Sequence, residues 1–182
     1  MKHLIYIAFA FLTFIGCKSP EPRKPVSVNS GSFIDQSVER NKKLNEHEQK
    51  LIEDIIKGNP EIDYIASESG FWYYYNTKIE NDTLSKPAFG DLVNFNYDVK
   101  TLEGDLIYSQ DEIKTQNYAM DQQELFTGLR EGLKLMKVGE TVTFLFPSQK
   151  AYGYYGDENK IGSSVPLVCK VTVNSISQNQ TN

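Results

Sequence analysis

Cysteine and histidine are scarce in this chain, with two of each in 182 residues. His3, His47, Cys17 and Cys169 lie far apart in sequence, so nothing has the clustered spacing of a metal site. Two cysteines also supply no disulfide framework. Basic charge is in deficit: the formal net charge is −5 and no stripe of Lys and Arg runs along the chain, which argues against nucleic acid as the main partner. No apolar run reaches the roughly 17–25 residues that a membrane-crossing helix needs. Apolar side chains are plentiful, at 40% of the residues, and aromatics reach 12%. That is enough for one cored domain with appendages.

The first residues read as a secretory signal. Lys2 and His3 precede the apolar run Leu4–Ile15, which ends in Phe14-Ile15-Gly16-Cys17. This ending resembles a bacterial lipobox and implies cleavage after residue 16 and lipidation of Cys17; the alternative is an ordinary signal with a chance cysteine. Acyl chains contribute about 0.8 kcal/mol per buried CH2, so two or more hold a protein on a bilayer without a spanning helix. Residues 17–32 carry Pro20, Pro22 and Pro25, then Ser and Gly, and read as a tether. With Cys17 lipidated, Cys169 has no intramolecular partner. Its apolar strand-like setting reads as a small buried side chain rather than a reactive thiol.

Residues 33–66 form a helical N-terminal segment. Phe33–Lys57 is charged and helix-permissive, one helix or two short ones, and Gly58-Asn59-Pro60 stops it. It packs on the domain or serves as a partner surface. Ser69–Tyr75 then reads as a strand, with Phe71, Tyr73 and Tyr75 on one face and Trp72 and Tyr74 on the other.

The main stretch is Gly90–Ile176. Gly90–Val99 alternates, with Val93, Phe95, Tyr97 and Val99 on the apolar face. Leu106–Ser109 and Asn117–Met120 are short extended pieces. Asp121 and Glu124 have capping-box spacing, which predicts a helix from Gln122 to about Met136 with Leu125, Leu129 and Leu133 on one face. Thr141–Phe146 and Leu167–Val173 are strands, and Asn174–Asn182 is a polar tail, with residues 178–182 frayed. Strands, one short helix, then strands predict an α+β domain over residues 67–177: an antiparallel sheet wrapped around one short central helix. Between the last two strands, Gly153 and Gly156 permit turns at positive φ. They present Tyr152 at the sheet rim, as a pocket wall with a phenolic donor or simply as a packed surface tyrosine.

Four segments now carry a resemblance: Gly90-Asp-Leu-Val-Asn-Phe-Asn-Tyr97, Glu124-Leu-Phe-Thr-Gly128-Leu-Arg-Glu-Gly132-Leu, Met136-Lys-Val-Gly139-Glu140 and Ala151-Tyr152-Gly153. In this order and at these intervals, over about residues 69–177, they resemble FK506-binding-protein (FKBP) peptidyl-prolyl cis/trans isomerases. With the lipobox, tether and helical preface, the whole chain is similar to the gliding-motility-associated FKBP-type isomerase lipoproteins of gliding bacteria.

The resemblance implies roles. Tyr97 lines a proline pocket, Tyr152 donates its hydroxyl to a substrate carbonyl, and the backbone N–H of Phe126 holds another. Ile107, Tyr108, Leu125, Leu129 and Ile161 surround the substrate, with Leu129 as floor. No cofactor or metal is implied. Some positions depart from the family pattern: Tyr108 replaces a common aspartate, Gln116 and Cys169 replace aromatics, and Gly162-Ser163 replaces Pro-Pro. On this reading the pocket loses a carboxylate and two aromatics.

The expected function is a prolyl isomerase acting on proline-containing polypeptides, lipid-anchored in the bacterial cell envelope and facing the periplasm, with the outer membrane favoured over the inner. Motility or secretion machinery is the implied partner. The alternatives are an FKBP-shaped chaperone or binding module with little catalysis, and a structural lipoprotein working through its preface helix.

Overall fold

The computed structural model describes residues 30–81 and 83–179. The expected signal, Cys17 and nearly all of the tether lie outside them. The chain divides into two compact units, Met1–Val38 and Glu39–Asn182. Among the described residues, no helix is long and apolar enough to cross a membrane.

A single helix, α1, spans Ser30–Gly58. Gly58 and Pro60 end it, and the Asn59 side chain donates to the carbonyl of Ile55. From Glu39 onward α1 belongs to the second unit. There Ile52 and Glu48 are its fully buried side chains, at 0% and 2% exposure.

The strands are β1 (Ile65–Ala66), β2 (Trp72–Thr77), β3 (Leu92–Tyr97), β4 (Val99–Lys100), β5 (Leu106–Tyr108), β6 (Gln116–Ala119), β7 (Thr141–Phe146) and β8 (Leu167–Ser177). They form one antiparallel sheet in the order β1-β2-β7-β8-β3-β6, with β4 pairing β5 and β8. The concave face buries Phe71, Val93, Phe95, Tyr97, Phe144 and Phe146, among others, around a short helix α3 (Thr127–Leu133). Each pleated strand gives one face to this core. Leu145 lies on the opposite face yet is 2% exposed. Asn45 and Gln49 of α1 share a groove with Trp72, Pro147 and Lys150 on that side.

α3 is shorter than its sequence predicts. The expected capping box at Asp121 does not form, because Asp121 takes φ +58 in a turn after β6. Its carboxylate pairs with Arg130 and Lys134 instead of capping. The Gln123 side chain accepts the Ala119 N–H, and residues 121–123 turn away from β6 before α3 begins at Thr127. Phe126 is the N-cap, extended at φ −61 and ψ 143. Gly128 and Gly132 let the helix sit directly on Phe146 and Phe144, where a Cβ would approach ring carbons to 2.5 and 2.9 Å.

β8 continues to Ser177, paired with β3 through Leu92↔Ser177. The N–H of Asn179 donates to the Asp91 carboxylate. A four-residue helix, α2 (Gln110–Ile113), capped by the Ser109 hydroxyl, was not legible as an apolar period and links β5 to β6.

Candidate active site

β3 ends in Tyr97 and β4 begins at Val99, so alternation points both toward the concave face, at 8% and 1% exposure. α2 adds Ile113 and Glu112, β5 adds Tyr108, and the loop after β7 adds Tyr152 and Asp157. Together these residues line a cavity of about 230 Å³. Phe126 packs against Tyr152 with ring centroids 5.1 Å apart. Beyond Tyr152, a second, more open cleft is lined by Leu125, Phe126, Gln123 and Arg130. Tyr152 is therefore a shared wall.

The expected site residues thus divide. Tyr97, Tyr108 and Tyr152 meet at one cavity. Leu125 and Phe126 border the adjoining cleft. Leu129 and Ile161 are core residues at 0% and 3% exposure, and Ile107 is half-buried against that core. Val99, Ile113, Glu112 and Asp157 line the cavity without having been singled out in sequence. Val99 shares the Tyr97 face by simple alternation, so that signal was present; α2 and the Asp157 loop left none.

Tyr108 stands in the cavity wall, and a carboxylate reaches that wall from another segment, through Asp157. Tyr108 donates its hydroxyl to this carboxylate, which also accepts the N–H groups of Asn159 and Ile161 at 3.0 and 2.7 Å. A left-handed turn at Gly156, φ +70, delivers it there. Lys160 then reaches back over the Tyr108 ring at 4.7 Å and pairs with Glu112. The loop is strapped to α2 and β5 by these bonds.

Electrostatics keep the phenols neutral. Burial, first, and then neighbouring Cys169, Asp157 and Tyr108 push the Tyr152 hydroxyl up to about 12. Burial pushes Tyr97 up further. Burial would raise Asp157, but the hydrogen bonds from Tyr108, Ile161 and Asn159 outweigh it and hold the carboxyl below its usual value. Cys169 is fully buried and its thiol is pushed far up by desolvation, in keeping with a packing role. Among the described residues, no group of three or more His, Cys, Asp or Glu side chains is placed to hold a metal ion. The site offers neutral phenolic donors, an apolar wall and two held carboxylates, Asp157 by hydrogen bonds and Glu112 by Lys160.

An antiparallel sheet wrapped on a short helix, with a tyrosine-lined cavity beside that helix, defines an α+β domain. Residues 84–174 match the family described as FKBP-type peptidyl-prolyl cis-trans isomerase, and the chain belongs to that family. No curated protein matches the chain. Solved structures that share its fold include two bacterial proteins. A peptidyl-prolyl cis-trans isomerase from Pseudomonas syringae pv. tomato str. DC3000 aligns at TM-score 0.59 and 20% identity, covering 75% of this chain and 96% of that one. FkpA from Escherichia coli aligns at TM-score 0.59 and 22% identity, covering 97% of this chain and 81% of that one.

Proposed function

We propose that this isomerase works at the Tyr97–Tyr152 cavity, and that it does so as a lipid-anchored protein of the bacterial cell envelope acting on Xaa-Pro bonds of exported or motility-associated proteins. The observation that carries the site is the convergence of Tyr97, Val99, Tyr108 and Tyr152 from three separate segments on one cavity.

The chemistry asks for little. Rotation about a peptide bond crosses a barrier of about 18–20 kcal/mol because it breaks amide resonance. The planar amide is more charge-separated than the twisted one, so an apolar cavity favours the twisted state relative to water. The cavity, about 230 Å³, takes the pyrrolidine ring against Tyr97 and Val99. The Tyr152 hydroxyl, protonated at neutral pH, donates to a carbonyl of the substrate. The N–H of Phe126, at the N-cap of α3, holds a second carbonyl. Fixed donors of this kind select the twisted geometry without reorganising.

The membrane attachment is inferred from Phe14-Ile15-Gly16-Cys17, with residues 17–32 as the tether. The periplasmic side, and the outer membrane over the inner, follow from the same lipoprotein reading; the motility-associated clients follow from the likeness to gliding-motility lipoproteins. A chaperone-type module with weak catalysis is the second reading, favoured by the polar Tyr108–Asp157 pair in the cavity wall, since a polar wall admits water.

Isomerisation of a set of Xaa-Pro peptides by the full chain in detergent decides between them. The expected result is acceleration above the uncatalysed rate for at least some Xaa. Folded protein that accelerates none would leave the binding-module reading.

A further inference from the structure

α1 carries one buried carboxylate, which the isomerase reading does not use. Glu48 is 2% exposed. A buried carboxylate is strongly unfavourable unless it is hydrogen-bonded. Glu48 meets this requirement at one residue: Oε2 accepts the Ser148 N–H at 2.8 Å and Oε1 accepts the Ser148 hydroxyl at 2.7 Å. Ser148 is itself 1% exposed and opens the 3-10 turn Ser148–Lys150 that follows β7.

That turn leads directly to Tyr152. The Ser148 carbonyl accepts the N–H groups of Ala151 and Gly153, at 3.0 and 2.8 Å, on either side of Tyr152. The Gly153 carbonyl in turn accepts the Ser164 N–H at 2.8 Å. Ser148 is thus held by Glu48 through its N–H and hydroxyl, and holds the Tyr152 backbone through its carbonyl. Asn45, one turn earlier on α1, receives the Gln149 side-chain amide.

We propose that Glu48 is a positioning residue for Tyr152, so that the preface helix sets the geometry of the isomerase pocket through Ser148. The proposal rests on the isomerase site being the Tyr97–Tyr152 cavity. Glu48 touches no cavity residue; it acts through the turn. Charge-assisted, doubly accepted contacts fix orientation more firmly than single neutral ones, and the placement of a catalytic donor is sensitive to small displacements.

The test uses the full chain carrying Glu48→Gln, with Glu46→Gln, on the exposed side of the same helix, as the control. Glutamine keeps one acceptor for the Ser148 N–H, and its NH2 faces the Ser148 hydroxyl, which must reverse to accept, so the charge-assisted pair becomes a neutral one. All kinetics are taken well below each variant's Tm. The expected results are about tenfold faster hydrogen exchange at the Gly153 amide relative to the β7 and β8 amides, and a fall in kcat/KM of about threefold, no larger than the fall in Tyr152→Phe itself. On a Tyr152→Phe background the Glu48→Gln penalty should largely vanish, because both changes act on one donor. Ser148→Ala, which keeps the backbone N–H bond, should show smaller shifts in the same direction and stands in if Glu48→Gln does not fold. Wild-type exchange at Gly153 with wild-type kcat/KM would overturn the proposal, as would penalties that multiply fully with Tyr152→Phe. If the wild-type chain accelerates no peptide, the isomerase site assignment fails, while the Gly153 exchange rate still decides whether Glu48 holds the turn.

Discussion

Tyr108 donates its hydroxyl to the carboxylate of Asp157, and two residues 49 positions apart in sequence thereby close one wall of the Tyr97–Tyr152 cavity. The Lys160 N–H also reaches the Tyr108 oxygen, at 3.3 Å. A phenol therefore stands where the family resemblance leads one to expect a carboxylate, and the carboxylate comes from the opposite loop.

This bond has a pH signature. The folded Asp157 carboxyl lies below its ordinary value of 3.8, the hydrogen bonds outweighing desolvation. A depressed folded value contributes stability that is present above the unfolded value and is lost as pH falls through the folded one. Asp157→Asn should thus be less stable than wild type near neutral pH, and the gap should close as pH falls below the ordinary value of 3.8 and through the lower folded one. Urea unfolding of both proteins across that range is the measurement. A gap that persists undiminished to about pH 2 contradicts the assignment.

Tyr152 and Tyr97 should separate donation from enclosure. Tyr152→Phe removes one hydroxyl and keeps the ring against Phe126, so kcat/KM should fall by about three- to tenfold, the worth of one hydrogen bond, with little change in Tm. Tyr97→Ala empties a core position at 8% exposure; it should reduce kcat/KM further and destabilise the fold by about 3 kcal/mol, as large-to-small core substitutions do. Because the Tyr152 hydroxyl titrates only near 12, the wild-type rate should be flat between about pH 6 and 9. A sigmoidal rise or fall within that window would point to a different acting group.

Much of this architecture was legible because period-two alternation is a local property. Thr141–Phe146 is β7 residue for residue, and Phe71, Tyr73 and Tyr75 face the core as the alternation of Ser69–Tyr75 requires. Tyr97 was placed inside for the same reason. The failures lie where a tertiary contact overrides a local signal. Asp121 and Glu124 have capping-box spacing, but Arg130 and Lys134 draw Asp121 into ion pairs and the Gln123 side chain accepts the Ala119 N–H. Asp157 and Glu48 were invisible as site residues, since each acquires its role from a partner 49 or 100 positions away. α2 is too short for a helical period to show.

Gly128 should tolerate nothing larger. A Cβ there would stand 2.5 Å from the Phe146 ring and 2.7 Å from the Lys150 carbonyl. One contact is with core and the other with the backbone that leads to Tyr152, and neither is the free end of a flexible chain. Gly128→Ala gains helix propensity of about 1 kcal/mol but overpacks the core, which costs about 1–3 kcal/mol. The expected outcome is a lower Tm together with a reduced kcat/KM measured in the folded range. An unchanged or raised Tm would show that α3 can shift away from β7 freely.

The two cysteines should differ in fate. Cys169 is fully buried on β8 with its thiol pushed far above the ordinary value by desolvation, so it should resist a thiol reagent in the folded protein and react fully in denaturant. Cys17, at the proposed lipid anchor, should incorporate a labelled fatty acid in a bacterial host and carry the protein into the membrane fraction. Cys17→Ser should lose both label and membrane association while retaining isomerase activity, because the cavity residues all lie between 97 and 157. The same variant leaves Cys169 as its only thiol, which makes the protection measurement unambiguous. Label retained in Cys17→Ser would place acylation elsewhere, and a Cys17→Ser protein still in the membrane fraction without label would assign attachment to the uncleaved apolar run Leu4–Ile15.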